Sequence, residues 1–294
     1  MRFVLYGTYI PADQLVAVAR WAEELGFASI SVPDHVVYPH ETATPYPYEG
    51  DPETGLAPWG PNCEWPDPFV SATAILGATE RLEVITGVCV LAMRDPLLVA
   101  KSVATIDALF PGRFTLGVGA GWLREEYEIL GQDFDTRGPR TDEAIELVRA
   151  LCGGERTEHH GRFFAVPPVT MRPAAPTGVR IYIGGDAPAA LRRAGRLADG
   201  MIPPLNSWPR AADHLREIAR VRKQSGRDGP FEYVGAATRA RTPQALGAMA
   251  ELGIEAVHVD PFALYVRRYG GQSLDERRSA MELYARELIA PVNG

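Results

Sequence analysis

Short β-type runs alternate with longer stretches of helical periodicity from the first residues to the last. This rhythm requires parallel strands, because each strand must return through a helix before the next can pair beside it. The run RFVLYG (2–7) predicts a first strand. The stretch 11–27 predicts a helix, with Leu15, Val18, Ala19, Ala22 and Leu25 on one face, Pro11 at its start and Gly26 at its end. Further strands are predicted at 28–37, 82–91, 113–121, 179–185, 200–204, 231–238 and 255–262, with helical stretches between them. The segment 160–173 is expected to be a hairpin or extended excursion. Eight strands with eight crossovers imply an α/β fold of the (β/α)8 TIM-barrel type, with its site at the C-terminal ends of the strands. A chain of 294 residues suits one such barrel, and no low-complexity linker or fixed-period repeat divides it, so 1–294 is expected to be a single domain.

Composition removes several function classes. The net charge is −7, with acidic and basic residues interspersed, so no basic face is available to neutralise a nucleic-acid backbone. No run of about 18 apolar residues suggests a membrane span, and no basic segment leads into a long apolar one, so a soluble cytoplasmic protein is expected. Cys63, Cys89 and Cys152 are odd in number and far apart. They form neither a zinc pattern nor a disulfide framework and are expected to pack.

The stretch RFTLGVGAGW (113–122) carries Gly117, Gly119 and Gly121 at the end of a predicted strand. A dinucleotide fingerprint would need glycine or alanine three positions after Gly119, where Trp122 stands, and no Gly-Lys-Ser or Gly-Lys-Thr follows for a P-loop. Two readings stay open. The glycines either relieve crowding where the strand leaves the barrel, or admit an anion to main-chain amides. Comparable features recur: Gly184 and Gly185 precede a helix, Gly87 interrupts a strand, and Asp34 and His35 end another. In a barrel all would face one mouth.

The stretches VPDHVVYP, WPDPFVSATAILGATERLEVITGVCVL, RDPLLVAKSVATIDALFPGRFTLGVGAGWLREEYEILGQDF, RGPRTDEAIELVRAL, HGRFFAVPPV and IYIGGDAPAALRRAGRLADGM together resemble the luciferase-like monooxygenase superfamily, in particular its coenzyme F420 (deazaflavin) oxidoreductase branch. They run nearly continuously from residue 32 to about 201; the last third matches only in its βα rhythm. The resemblance implies a flavin-type ring across the barrel mouth and a non-proline cis peptide at Gly87–Val88, with Thr86, Gly87 and Val88 behind the ring. It places Asp34 and His35 near the ring's polar edge. Gly117, Gly119, Ala120, Gly121, Gly184, Gly185 and Asp186 would line the phosphate-bearing tail. The cofactor implied is F420, with FMN and oxygen as the alternative and a non-catalytic flavin-binding barrel as the alternative of another class. A small organic substrate and a homodimer are expected.

In hydride transfer from a reduced deazaflavin, a proton must reach the substrate, and His35 is the candidate donor because imidazole titrates near neutrality. Asp34 would orient His35 or bind the ring's polar edge; alternatively both residues only end a strand. Some sugar-phosphate dehydrogenases of the superfamily carry an acid directly after the glycine run, where this chain has Trp122, which could instead wall a substrate pocket. Glu125 and Glu126 are expected to complement a helix dipole. Residues 38–66 are far longer than an ordinary connection and hold Tyr38, Tyr46, Tyr48, Trp59 and Trp65, so a lid over an apolar substrate is expected, with Tyr38, Trp59, Trp65 and Trp122 in the pocket. His159 and His160 have no metal-ligand spacing, and no metal is expected. Arg192, Arg193 and Arg196 could assist an anionic tail or be solvated.

Overall fold

Asp-Pro pairs open two of the outer helices in the computed structural model, which describes residues 1–48, 55, 57–205, 207–237, 242–267 and 270–294. Asp67 accepts from the N–H groups of Phe69 and Val70, and Asp95 from that of Leu97, so each aspartate caps a helix (Pro68–Ala78 and Pro96–Leu109) whose proline begins the first turn. These helices lie outside a parallel sheet.

The strands are β1 (Arg2–Tyr6), β2 (Ser29–Val32), β3 (Glu83–Thr86), β4 (Cys89–Val90), β5 (Phe114–Gly119), β6 (Thr157–His160), β7 (Ala165–Val169), β8 (Arg180–Gly184), β9 (Gly200–Ile202), β10 (Glu232–Ala236) and β11 (Ala256–Val259). The main sheet runs β3-β2-β1-β11-β10-β9-β8-β5-β4, and β3 also pairs with β5, which closes it into the expected barrel. β6 and β7 form a separate antiparallel hairpin within the predicted excursion.

Closure explains one glycine. A Cβ on Gly117 would lie 1.9 Å from the carbonyl oxygen of Thr86, so β3 and β5 can meet only without a side chain there. The Thr86 hydroxyl, fully buried, donates to the Gly117 carbonyl at 2.7 Å across the same seam.

All eight predicted strands are shorter than expected; 255–262 is a strand only over Ala256–Val259, with Pro261 opening a short helix, and two others differ further. The run 28–37 ends as a strand at Val32, because Pro33 has no N–H to donate and the Asp34 side chain leaves for another element. The run 82–91 is divided into β3 and the separate two-residue β4, and the Gly87–Val88 peptide between them is cis.

Candidate functional site

A cavity of about 520 Å³ opens at the C-terminal ends of the barrel strands. Asp34 and His35 reach it after β2, Gly87 and Val88 after β3, Gly119 at the end of β5 with Ala120, Gly121 and Trp122 just beyond, and Gly184 at the end of β8 with Gly185 just beyond. A smaller lobe of about 230 Å³ shares Gly87, Val88, Gly184 and Gly185 and continues to Ile202, Pro203, Pro204, Leu205 and His258. The expected convergence on one rim is therefore present in the geometry.

Val88 organises the floor. A Cβ on Gly119 would fall 2.5 Å from Val88 Cγ2, and one on Gly184 would fall 2.5 Å from Val88 Cγ1. The two glycines from neighbouring strands thus make the seat for a single isopropyl group. This accords with the crowding reading of Gly119 and leaves the cavity above the seat open.

Four expected site residues stand elsewhere. Thr86 and Gly117 are spent on the β3–β5 seam and do not line the cavity. Asp186 turns away, accepting from the Ser207 hydroxyl and the Arg210 guanidinium. Tyr38 is 37% exposed and packs its ring against His40 rather than lining the cavity.

His35 is held differently from the expectation. Its Nδ1 lies 3.0 Å from Oε2 of Glu126, a residue only 2% exposed. Oε1 of Glu126 accepts from the N–H groups of Val36 (2.5 Å) and Val37 (3.3 Å). Asp34 does not touch His35: it accepts from the Val90 N–H at 3.0 Å and from Arg94 through Nε at 3.2 Å and Nη2 at 2.5 Å. Its carboxylate is closed inside the wall, where an ion pair with a fork of guanidinium donors offsets the cost of burial. Glu125, on the same short helix Arg124–Ile129, accepts from the N–H groups of Ala43 (2.6 Å) and Thr44 (2.9 Å). Burial raises its carboxyl, but bonding from the Thr44 side chain and from main-chain N–H groups, that of Ala43 first, more than offsets this and holds it below the usual range. Glu125 and Glu126 thus tie down the segment after β2, and complementing the dipole of their own helix is not their main role.

Aromatic rings surround the imidazole. Ring centroids of Trp65, Trp59 and Trp122 lie 4.7, 5.3 and 6.3 Å from that of His35. Tyr46 packs on Trp59 at 5.2 Å and on Trp122 at 5.1 Å. The described parts of the 38–66 loop therefore converge on the cavity through Tyr46, Tyr48, Trp59 and Trp65, while residues 49–54 and 56 of the proposed lid lie outside the described residues. Trp122 does wall the cavity.

At the outer end, Gly185 adopts a φ of +101°, a backbone state natural to glycine, just before the helix Pro188–Leu197, which has no side-chain cap. Arg137 and Arg193 line the cavity nearby. Arg193 is already engaged by Asp142 and the Gly138 carbonyl; Arg196 pairs with Asp142 and Arg192 is exposed. His258, at the base of the smaller lobe, lies with Nε2 2.8 Å from the Ser31 hydroxyl, and burial pushes its pKa down to about 3.

His159 and His160 are engaged with Glu143 and Glu158, and no group of potential metal ligands occurs among the described residues. Burial pushes the Cys63 and Cys152 thiols up to about 11 and 12 and raises that of Cys89 well above its ordinary value; Cys89 and Cys152 are buried as packing residues, whereas Cys63 is only part-buried. The sequence reading missed Glu126, Arg94, Arg137 and His258. Only Glu126 left a trace in the sequence, as an acid one helical turn beyond Trp122.

Residues 3–290 match the profile of the luciferase-like monooxygenase family. An uncharacterized protein of Mycobacterium tuberculosis is 34% identical over 278 residues, covering 94% of this chain and 95% of its own length. The F420-dependent glucose-6-phosphate dehydrogenase of Microbacterium testaceum is 34% identical over 195 residues, 65% of this chain and 52% of that enzyme. Among solved structures, the monooxygenase RslO1 from Streptomyces bottropensis superposes with a TM-score of 0.76 at 18% identity, over 99% of both chains. An F420-dependent secondary alcohol dehydrogenase in complex with an F420–acetone adduct gives 0.74 at 17% identity, over 100% of this chain and 99% of that one. No helix among the described residues is long and apolar enough to cross a membrane.

Proposed function

Because this chain belongs to the luciferase-like monooxygenase family, we propose that its mouth cavity binds coenzyme F420 and that the protein is an oxidoreductase acting on a small organic carbonyl compound or its alcohol. The observation that carries this reading is the meeting of His35, the Val88 seat and two strand-end glycine pairs in one cavity. Its volume lies in the ordinary range for cofactor and small-molecule sites. The residues fit the group. Val88 with Gly87 offers an apolar floor that a Cβ at 119 or 184 would disturb, suited to the back of a flat ring. Arg137 and the Ala189 N–H, in the first turn of Pro188–Leu197, offer donors to an anionic tail.

Held over the Val88 seat, the deazaflavin would supply the two-electron (hydride) reduction of the carbonyl carbon. The carbonyl oxygen, gaining the electron pair of its broken π bond, takes a proton from Nε2 of His35, which is left neutral and recovers a proton from solvent. The tryptophans around His35 exclude water and favour an uncharged substrate surface. Trp122 stands where the resemblance puts an acid in sugar-phosphate dehydrogenases, so the substrate of that relative is not carried over.

The monooxygenase among the structural neighbours favours a second reading, FMN with oxygen. Titrating the purified protein separately with F420 and FMN, followed by fluorescence, and then measuring oxidation of the reduced cofactor against a carbonyl panel, tests both. Tight FMN binding with oxygen consumption would overturn the preferred reading. A homodimer belongs to it as well, and sedimentation velocity checks it.

A further inference from the structure

We propose that Glu126 is the positioning residue of the site: its carboxylate fixes which nitrogen of His35 faces the cavity. This rests on the reading that His35 moves the proton.

An ionised carboxylate only accepts hydrogen bonds. With Oε1 occupied by the Val36 and Val37 N–H groups, Oε2 takes the hydrogen on His35 Nδ1. Nε2 is then the nitrogen available to a substrate, a proton donor when the ring is cationic and an acceptor when it is neutral. Burial makes the arrangement specific. At 2% exposure the carboxylate has little solvent to fall back on, so these three donors must satisfy it. The ring is flanked from the sides as well, by Trp65 at 4.7 Å and Trp59 at 5.3 Å between centroids.

The contact also joins two parts of the fold. Glu126 follows β5, whereas His35, Val36 and Val37 begin the long segment after β2. One carboxylate therefore orients the proton-transfer group and roots the cover above it. A purely structural anchor would need only the Oε1 bonds.

Glu126→Gln separates the two roles. The amide oxygen can still accept from Val36 and Val37, but its NH₂ is turned toward Nδ1 and demands the opposite tautomer. In protein loaded with F420, ¹⁵N spectra of the His35 ring are expected to show Nδ1 protonated in the wild type and Nε2 protonated in the neutral ring of the variant. With reduced F420 and cyclohexanone as the probe, kcat is expected to fall ~10²- to 10⁴-fold, with KM and F420 affinity within about threefold of wild type.

A variant kcat within threefold of wild type, or a wild-type ring whose neutral form is protonated at Nε2, would overturn the proposal. If Glu126→Gln does not fold, the wild-type spectrum alone decides. His35→Ala is run beside it. Loss of turnover there with a fast Glu126→Gln rejects the role of Glu126 alone, whereas unchanged turnover in His35→Ala, or a wild type that reduces no carbonyl probe, rejects the underlying reading and this role with it.

Discussion

Gly184→Ala tests the seat beneath the cavity. The added Cβ would meet Val88 Cγ1 at 2.5 Å, Cγ2 at 3.2 Å and Cβ at 3.3 Å. The nearest contact is about 1 Å inside ordinary van der Waals separation. On the opposite side Val88 Cγ2 already fills the space that Gly119 leaves, lying 2.5 Å from where a Cβ on that residue would be. Val88 must therefore rise into the cavity, or β5 and β8 must part. Overpacking of this kind costs about 1–3 kcal/mol, which predicts a fall in Tm of roughly 2–5 °C for a chain of this size. Lifting Val88 into the ring position should also weaken F420 binding by on the order of 10- to 100-fold, read by fluorescence titration. The informative variant is the double, Gly184→Ala with Val88→Ala. Removing both γ-methyls takes away the partner in the clash, so the double should be more stable than the sum of the singles predicts, by ~1 kcal/mol or more. Additive losses, or a single Gly184→Ala with unaltered Tm and affinity, would refute the seat.

Two further outcomes follow from buried charge. Asp34→Ala should destabilise by about 2–4 kcal/mol, because it leaves the Val90 N–H unpaired within the wall and the part-buried Arg94 guanidinium with only Asp67, at 3.6 Å, as a charged partner; urea unfolding measures it, and a loss under about 1 kcal/mol would contradict the wall role. His258, pushed down to about 3 by burial, should make stability depend on pH. Its contribution is full above the unfolded pKa near 6.5 and is lost as pH falls toward 3, a span worth on the order of 3–5 kcal/mol. Asp260 acts in the opposite sense. Burial pushes its pKa up to about 6, so its contribution is present below pH 4 and lost as pH rises through about 6. Unfolding of His258→Gln and Asp260→Asn across pH 4–7 should therefore flatten opposite slopes. Parallel slopes in the two variants would be inconsistent with these shifts.

The barrel was legible in the sequence because burial of each parallel strand on both faces leaves apolar runs that helices must separate. The cavity residues at strand ends were legible for a related reason: in this architecture position along a strand decides which end of the barrel a residue reaches. What the sequence hid were partners. Asp34 beside His35 suggested a working pair, yet its carboxylate faces Arg94, sixty positions away. Glu126 looked like any acid in a first helical turn, since nothing local distinguishes a solvated carboxylate from one bonded to an imidazole ninety-one positions earlier. The glycine run carried several causes in one motif. Gly117 yields to a carbonyl across the closing seam, Gly119 yields to Val88, and Gly121 has a φ of +69°. The Gly87–Val88 cis peptide was anticipated only through the family resemblance.

The attachment of residues 36–44 to Glu125 and Glu126 bears on how this scaffold could be re-engineered. Because those main-chain N–H groups are gripped by side chains from the helix after β5, a transplanted loop does not need to bring its own anchor. Replacements begun beyond Thr44 would inherit a fixed point of departure and an oriented His35. Substrate range could then be diversified through the tyrosines and tryptophans downstream, while grafts cut before Val36 would discard both together.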